Sequence, residues 1–214
     1  MTTTNALDLR RCTEPERPAT WRDQFAHPTG WMGSLIGHAM AFKNRDRSRF
    51  VQSALELLPE HDVLEIGFGS GTDVKEAARV ARSVAGVDPS ATMLRQASRR
   101  NADAIREGRV SLTCGSATEL PFEDASFDRA FAINNVQFWG DVESGMREVR
   151  RVLRPGGRAV VAIQPRHRGA SEEDVDRWGA RIRNTMERAG LRRVGALRHA
   201  MSPVSLIVVL GVRV

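Results

Sequence analysis

The sequence predicts an α/β fold in which a mostly parallel β-sheet carries helices on both faces. Short apolar runs of strand length alternate with longer amphipathic runs through most of the chain. One of these runs, residues 63–66, leads directly into a loop with glycines at Gly67, Gly69 and Gly71, after which a helical pattern begins. A buried strand, a tight glycine loop and a helix in this order are typical of one unit of a parallel α/β sheet.

The composition is that of a soluble globular protein. The 214 residues, 41% hydrophobic and 27% charged, suffice for one domain with a full core. No apolar run approaches the ~20 residues that span a bilayer, and the first residues lack a signal-peptide core, so we expect no membrane span. Cys12 and Cys114 lie far apart without metal-ligand spacing, which predicts two free thiols, no metal site and a reducing, cytoplasmic location.

The net charge of +6 raises the question of a nucleic-acid partner. Two of the 32 basic residues are lysines, Lys43 and Lys75, and the other 30 are arginines scattered along the whole chain among 26 acids. We interpret this pattern first as a compositional bias and only second as a surface for electrostatic recognition. The charge alone therefore does not predict nucleic-acid binding.

The first 60 residues differ in character from the rest. The beginning of the chain is polar and proline-bearing without clear periodicity, which is typical of a flexible arm. Apolar residues at helical spacing then appear, before the glycine-loop region begins. The predicted organisation is an arm over 1–30, a helical cap over 31–60 and an α/β domain over 61–214.

The cap contains two predicted amphipathic helices, one over residues 31–42 and one from Arg47 to Leu58. Two interpretations stay open: the cap packs on the sheet edge, or it closes one side of a pocket as a lid. As a lid it would bring three side chains to the pocket: Trp31, His38 and Phe42.

Glu65 is the unusual residue of the first strand. A carboxylate at the end of a buried strand needs a partner, because burial of an unpaired charge is costly. Gly67, Gly69 and Gly71 let the backbone turn sharply and approach a ligand closely. A cationic or hydroxyl-rich ligand beside the loop would supply the missing partner.

The run Glu65-x-Gly67-x-Gly69-x-Gly71 resembles the first motif of class I S-adenosylmethionine (SAM)-dependent methyltransferases. The resemblance implies that Glu65 and the three glycines bind SAM. It also implies a Rossmann-like sheet of seven strands, mostly parallel with an antiparallel last strand. The glycine spacing differs from the dinucleotide fingerprint Gly-x-Gly-x-x-Gly, which argues against a dehydrogenase.

A second strand, residues 84–88, ends in Asp88. Nucleotide-binding folds place a ribose-binding acid ~20 positions past the glycine loop, and Asp88 lies close to that position. A carboxylate suits this role because it accepts hydrogen bonds from both hydroxyls of a diol. The alternative is a helix N-cap for the run that starts at Ser90. With ribose on Asp88, Pro89 and Met93 would flank the adenine.

A helix over 91–107 and a third strand over 109–114 precede Gly115-Ser116-Ala117 and Leu120-Pro121-Phe122. This stretch resembles the segment in which related methyltransferases carry Gly-Asp-Ala, where the aspartate accepts from the adenine amino group. Ser116 replaces that aspartate, so we expect a hydroxyl contact without charge assistance. Ala117 would still offer its backbone N–H to the ring.

The fourth strand, residues 126–133, is followed by Asn134, Gln137 and Trp139. Ligands in open parallel sheets bind at the carboxyl ends of strands where the topology switches, which places these residues beside the methyl donor. Asn134 is assigned to SAM, and Gln137 and Trp139 to substrate. Gln137 stands where many small-molecule members carry histidine, and its amide orients a substrate without acting as a base.

The last third of the chain predicts a helix, a proline–glycine turn, a fifth strand and a helix before two further strands. The final run is nearly all apolar, as a strand inserted within a sheet is. The predicted bounds are a helix through Leu153, a turn at Arg154-Pro155-Gly156-Gly157, a strand over 158–164, a helix over 172–190 and strands over 192–199 and 205–212.

The resemblance, which is closest to the ubiquinone/menaquinone-biosynthesis branch, implies methyl transfer from SAM to an O, N or C nucleophile of a small molecule, with S-adenosylhomocysteine as product. His38 and His167 are the candidate bases, which a hydroxyl nucleophile needs and a carbon or amine nucleophile does not. Two alternatives remain: methylation of RNA or protein, which predicts a contiguous arginine face, and a SAM-binding regulator or cyclase that transfers no methyl. The missing Asn/Asp-Pro-Pro-Tyr/Phe motif argues against methylation of nucleic-acid bases.

Overall fold

The computed structural model describes residue 12 and residues 45–214. The helices are α1 (45–55), α2 (Thr72–Ala77), α3 (Ala91–Arg100), α4 (Ala102–Arg106), α5 (Val142–Val152) and α6 (Glu172–Arg188), with a 3₁₀ turn at Val136–Phe138. The strands are β1 (Asp62–Ile66), β2 (Ser83–Asp88), β3 (Val110–Cys114), β4 (Phe127–Ile133), β5 (Leu153–Ile163), β6 (Arg192–His199) and β7 (Leu206–Val212).

The seven strands form one sheet in the order β3-β2-β1-β4-β5-β7-β6, which confirms the predicted sheet. The first five strands pair in parallel, and β7 lies antiparallel between β5 and β6. The chain runs outward from β1 through β2 to β3 and then returns to the other side of β1 as β4. The switch point between β1 and β4 is where open α/β sheets bind ligands.

Apolar side chains alternate between the two faces of the sheet and build a separate cluster on each. On one face α1, α2 and α3 cover the strands with Val51, Val74 and Leu94, all fully buried. On the other face α5 and α6 contribute Met146 and Ile182, also fully buried. The strands are covered on both faces, which explains why they read as short apolar runs rather than strict alternations.

Two of the predicted helices differ from the structure by more than two residues. The helix predicted to reach Leu58 ends at residue 55, because Glu56 has φ 50°, which does not continue a right-handed helix, and Leu58 is left 46% exposed. The helix predicted over 91–107 is interrupted at Asn101, whose side-chain amide donates to Ala97 O (2.9 Å) and Gly71 O (3.0 Å).

The predicted Arg-Pro-Gly-Gly turn lies inside β5, which begins at Leu153 rather than at Arg158. Phe127 pairs with Leu153 and Arg129 with Arg158, so the four residues between Leu153 and Arg158 form an irregularity in the ladder with β4. Gly156 has φ 81°, a conformation that glycine adopts without strain.

Cys12 and Cys114 form a disulfide, with their Cα atoms 5.0 Å apart, so the prediction of two free thiols is wrong. The two cysteines are 102 residues apart in the sequence, and only the tertiary fold brings them together. Their spacing in the sequence therefore gave no sign of the disulfide. Cys114 ends β3 and is fully buried beneath the α1–α3 face. Disulfides are typical of oxidising environments, so this pairing does not favour the predicted reducing compartment.

The remaining N-terminal predictions lie outside the described residues. These are the arm over 1–30 apart from Cys12, the first cap helix over 31–42, and the roles of Trp31, His38 and Phe42. Among the helices of the described residues, none has both the length and the apolar character that crossing a bilayer requires.

We predict that Cys12→Ser lowers the free energy of unfolding by about 2–4 kcal/mol, because a disulfide that closes a long loop restricts the unfolded chain. Equilibrium guanidinium unfolding without reductant measures the change. Wild-type protein with excess reductant serves as control and should match the variant. Equal stability of oxidised wild type and Cys12→Ser would show that the disulfide does not contribute to the folded state.

Candidate functional site

The site lies at the carboxyl ends of β1, β2 and β4, where the loop after β1 crosses from one strand to its neighbours. The Gly67 N–H donates to Val87 O (2.7 Å), and the Gly69 N–H donates to Asp88 Oδ2 (2.9 Å). Both bonds join the loop to the end of β2. On this side, the loop is therefore held in place by its own backbone N–H groups.

Asn135 fixes the other side of the loop, and sequence reasoning missed it. Its Nδ2 donates to Ile66 O (2.5 Å) and Gly67 O (3.2 Å), and its Oδ1 accepts from the Trp139 indole N–H (2.9 Å). A Cβ on Gly67, which has φ 70°, would lie 2.4 Å from Asn135 Nδ2. Gly67 is therefore needed for this close approach as well as for its positive φ.

Gly69 faces open space instead. Its φ is 51°, and a Cβ built on it would meet no heavy atom of the described residues within 4 Å. Within that part of the chain, there is room beside Gly69 for a ligand to contact the backbone. The space beside Gly67 is thus filled by Asn135, whereas the space beside Gly69 forms part of the candidate ligand cleft.

Asp88 is the last residue of β2 and is 7% exposed. Its Oδ2 accepts from the Gly69 N–H, and its Oδ1 accepts from the Ser90 N–H (2.9 Å). Burial raises the pKa of the Asp88 carboxyl, and the two backbone N–H groups oppose that shift. Ser90, rather than Asp88, caps α3 by accepting from the Met93 N–H, so the capping alternative for Asp88 is not needed.

Glu65 lies on the face of β1 that α1 and α2 cover, and it is 2% exposed. It accepts a hydrogen bond from the Val74 N–H, but its Oε2 is buried and, within the described residues, has no hydrogen-bond partner. Burial, followed by the nearby Asp73 carboxylate, raises the pKa of Glu65 well above its usual value. The ligand-free protein therefore favours a protonated Glu65.

Asp73, in the first turn of α2, is a second buried acid that sequence reasoning missed. The Ser48 hydroxyl donates to Asp73 Oδ1, and Arg47 Nη2 lies 3.5 Å from Asp73 Oδ2. Both partners belong to α1, so the second predicted cap helix is fastened to the helix that follows the glycine loop. The only signal in the sequence was a carboxylate at the first turn of that helix.

The predicted adenine-binding residues surround the end of β3. Parallel pairing puts Cys114 beside Asp88, so Ser116 and Ala117 follow just beyond the ribose-binding candidate. The Ser116 hydroxyl lies 2.8 Å from Thr118 Oγ1 and accepts from the Thr118 N–H (3.2 Å). Pro89 lies between β2 and α3, and the half-buried Met93 lies in the first turn of α3. The adenine contacts of these four residues stay predictions.

Asn134 and Gln137 have partners within the backbone of the same region. Asn134, with φ 54°, accepts at Oδ1 from the Gln164 N–H (2.7 Å) and so links the ends of β4 and β5. Gln137 is exposed, and its Nε2 donates to Asn134 O (2.9 Å). Trp139 is 8% exposed with its N–H bound to Asn135, which leaves little of its side chain for a substrate. Their roles stay predictions.

His167, the candidate base within the described residues, lies in the loop before α6. Its side chain is 59% exposed, and its Nε2 is 3.4 Å from Asp174 Oδ2. Asp174 also takes part in the capping box of α6 with Ser171. His167 is thus paired at the surface with a residue that stabilises a helix end, and its catalytic role stays a prediction.

The site fits SAM in three respects. The buried Oε2 of Glu65, which has no hydrogen-bond partner among the described residues, suits the ammonium group of the donor's amino-acid end. The space beside Gly69 admits a ligand against the backbone. The Asp88 carboxylate is held by two N–H groups and retains lone pairs for a ribose diol.

Comparisons with known proteins agree with this geometry. The profile of the methyltransferase domain family matches residues 64–161. An uncharacterised methyltransferase, YdaC of Bacillus subtilis, is 28% identical over 162 residues, 75% of this chain and 87% of the relative. The ubiquinone/menaquinone biosynthesis C-methyltransferase UbiE of Geotalea daltonii is 36% identical over 124 residues, 54% of this chain and 52% of the relative.

A solved structure shows the same fold. A SAM-dependent methyltransferase from Aquifex aeolicus superposes with a TM-score of 0.65 at 18% identity, over 78% of this chain and 89% of that one. The chain spans about half the length of the UbiE relative, so the acceptor of that protein is not carried over.

We predict that Glu65→Gln flattens the pH dependence of stability. Because the folded-state pKa of Glu65 is raised, the folded protein keeps a proton that the unfolded chain loses above about pH 4.5. The wild-type free energy of unfolding should therefore fall as pH rises above 4.5, by at most about 1.4 kcal/mol per pH unit from this group. Denaturant unfolding from pH 4.5 to 8 without SAM measures it.

The matched control for this experiment is Glu123→Gln, which removes an exposed carboxylate outside the site. Its stability curve should run parallel to that of wild type. If Glu65→Gln also runs parallel to wild type, Glu65 is charged in the ligand-free protein and the argument for its protonation is wrong.

We predict that Gly69→Ala weakens SAM binding at least tenfold while the protein stays folded, because the new methyl group enters the cleft without touching protein. The backbone strain should cost about 1 kcal/mol of stability. Gly108→Ala is the matched control, since Gly108 has φ 74° and also meets no atom within 4 Å. Calorimetry showing equal SAM affinity for both variants would place Gly69 outside the binding site.

Proposed function

We propose that this chain is a class I SAM-dependent methyltransferase that transfers a methyl group to a nucleophilic atom of a small molecule. SAM supplies the methyl group in an activated form, as a substituent of a sulfonium. Much of the work left to the protein is then to hold the two reactants in contact and to exclude water.

The observation that carries the proposal is the prearranged carboxylate of Asp88 beside the open space at Gly69. The bonds from the Gly69 and Ser90 N–H groups set the carboxylate's orientation before a ligand arrives. Orientation in advance lowers the entropic cost of binding a diol. Glu65, on β1 before the loop, and Asp73, in the first turn of α2 after it, suit the positively charged amino-acid end of the donor.

The methyl acceptor would bind beyond the ends of β4 and β5, where apolar, polar and cationic side chains lie near one another in the chain. Phe138 is 79% exposed, and Gln137 beside it is exposed and polar. Arg166, which follows β5, is exposed and donates through Nε and Nη2 to Gln164 Oε1 (3.2 and 3.0 Å). An aromatic ring, an amide and a cation support an organic acceptor that combines apolar surface with a polar or acidic group.

The described histidines favour a nucleophile that needs no protein base. His61 accepts from the Leu58 N–H, His167 pairs with Asp174, and His199 lies 2.8 Å from Asp46 Oδ2. Among residues 45–214, each histidine is thus engaged away from Asp88 and the glycine loop. A carbon or amine nucleophile with an available lone pair, or a stabilised carbanion, fits this arrangement better than a simple hydroxyl.

We predict that the purified protein moves label from methyl-labelled SAM into a small-molecule fraction of a cell extract, and that Asp88→Ala does so far more weakly. Loss of the charge-assisted diol contact should lower SAM affinity at least tenfold. Glu123→Gln serves as control and should keep wild-type transfer. Chromatography of the labelled extract with and without nuclease and protease treatment identifies the class of acceptor.

Two results would contradict the proposal. Label that appears only in RNA or protein would assign a macromolecular acceptor to the same site. Tight SAM binding with no transfer to any fraction would favour a regulator or cyclase that keeps the donor intact.

A further inference from the structure

A strongly basic groove of about 540 Å³ lies between α1 and α2, apart from the carboxyl ends of β4 and β5. Five cationic side chains line it, together with one carboxylate. These are Arg45, Arg49, Lys75, Arg79, Arg100 and Glu76. The cations come from α1, from α2 and the turn after it, and from α3, so the fold gathers charges that are scattered along the sequence.

A second depression of about 380 Å³ continues the groove past α2. It shares Lys75, Arg79 and Arg100 with the first and adds Arg109 and the carboxylate of Asp103, which pairs with Arg106. The two depressions together form one concave basic surface, called the basic groove below. Each is within the range of about 300–1,000 Å³ that is typical of small-molecule sites.

Much of the positive charge in the basic groove has no ion-pair partner among residues 45–214. Arg79 pairs with Glu76 (2.6 Å), and Arg109 pairs with Glu107 (2.6 Å). By contrast, Arg45, Arg49 and Lys75 have no ion-pair partner within the residues that the structure describes. Like charges gathered in a concavity raise the local potential and favour an anionic occupant.

Arg100 is held in position without losing its charge. Its Nη1 donates to Ser70 O (2.8 Å), Ser70 Oγ (2.6 Å) and Thr72 Oγ1 (2.6 Å). All three acceptors are neutral, so the guanidinium is oriented and its charge stays available. A pre-oriented arginine suits phosphate, whose oxygens accept several N–H bonds at once.

We propose that the basic groove binds a compact polyanion of the oligophosphate class, at a site separate from the SAM cleft and from the acceptor. The convergence of cations from α1, α2 and α3 on one concave volume fits a short, highly charged ligand. A nucleic-acid strand would instead need cations spread along a surface that follows its backbone. This site goes beyond the proposed methyl transfer and does not depend on it.

Inorganic tripolyphosphate is the probe for the test, titrated into the full-length protein in a calorimeter at about 0.1 M salt. The test variant Arg45→Gln/Lys75→Gln removes two groove cations that have no ion-pair partner among the described residues. We expect it to bind tripolyphosphate at least tenfold more weakly than wild type. Both side chains line the basic groove rather than the core, and a thermal melt of each variant confirms that it is folded.

The matched control is Arg99→Gln/Arg183→Gln, which removes the same net charge from two exposed residues that line neither depression. It should bind tripolyphosphate like wild type. Equal weakening in both double variants would mean that net charge alone attracts the anion, and would overturn the site. Absence of measurable binding to wild type would overturn it as well.

A single-stranded RNA oligomer is the second probe, and it tests whether the basic groove binds nucleic acid instead. If RNA binds more tightly than tripolyphosphate, loses affinity in Arg45→Gln/Lys75→Gln and dissociates steeply with salt, the basic groove is a nucleic-acid surface and the proposal is wrong. None of these variants changes a residue assigned to SAM, so SAM binding and methyl transfer report separately on the proposed function.

Discussion

A hydrogen bond from the Gly69 N–H to Asp88 Oδ2 joins the loop after β1 to the end of β2, and the rest of the site depends on it. This bond orients the carboxylate, while the neighbouring Ser90 N–H occupies its other oxygen. On the opposite side, Asn135 ties the same loop to the segment after β4. The loop is therefore held between two strands of the switch point, and its glycines remain in the geometry that a ligand requires.

Burial of acidic groups is the cost of this arrangement. Glu65 and Asp73 lie close together under α1, and the desolvation of Glu65 raises its pKa. Arg47 and Ser48 on α1 offset the charge on Asp73, so this helix is part of the electrostatics of the site and does more than cover the sheet. A cationic ligand group beside Glu65 would supply the partner that the described residues do not. Binding of such a group would favour the charged form of Glu65, so ligand binding and the protonation of Glu65 are linked.

The arginines that are scattered along the sequence have two different kinds of surroundings in the folded chain. Many arginines form surface pairs, such as Arg147 with Glu143, which contribute little to stability. Others gather with Lys75 in the basic groove, where Arg100 also contacts the outer side of the glycine loop. The loop is therefore in contact with two chemically distinct regions: Gly69 borders the candidate SAM cleft, and Ser70 accepts from Arg100, a cation that lines the basic groove.

The sequence by itself determined the strand–loop–helix units and the placement of Asp88 after the glycine loop, because local spacing and periodicity encode these features. The antiparallel last strand is predicted by the resemblance to a family, not by a local pattern. Only the tertiary structure decided that Asn135 clamps the loop and that Asp73 belongs to the site. It also joined Cys12 to Cys114 and gathered the cations of the basic groove. These features arise from contacts between residues far apart in the chain, and no local pattern records which distant side chains the packing of helices on the sheet brings together.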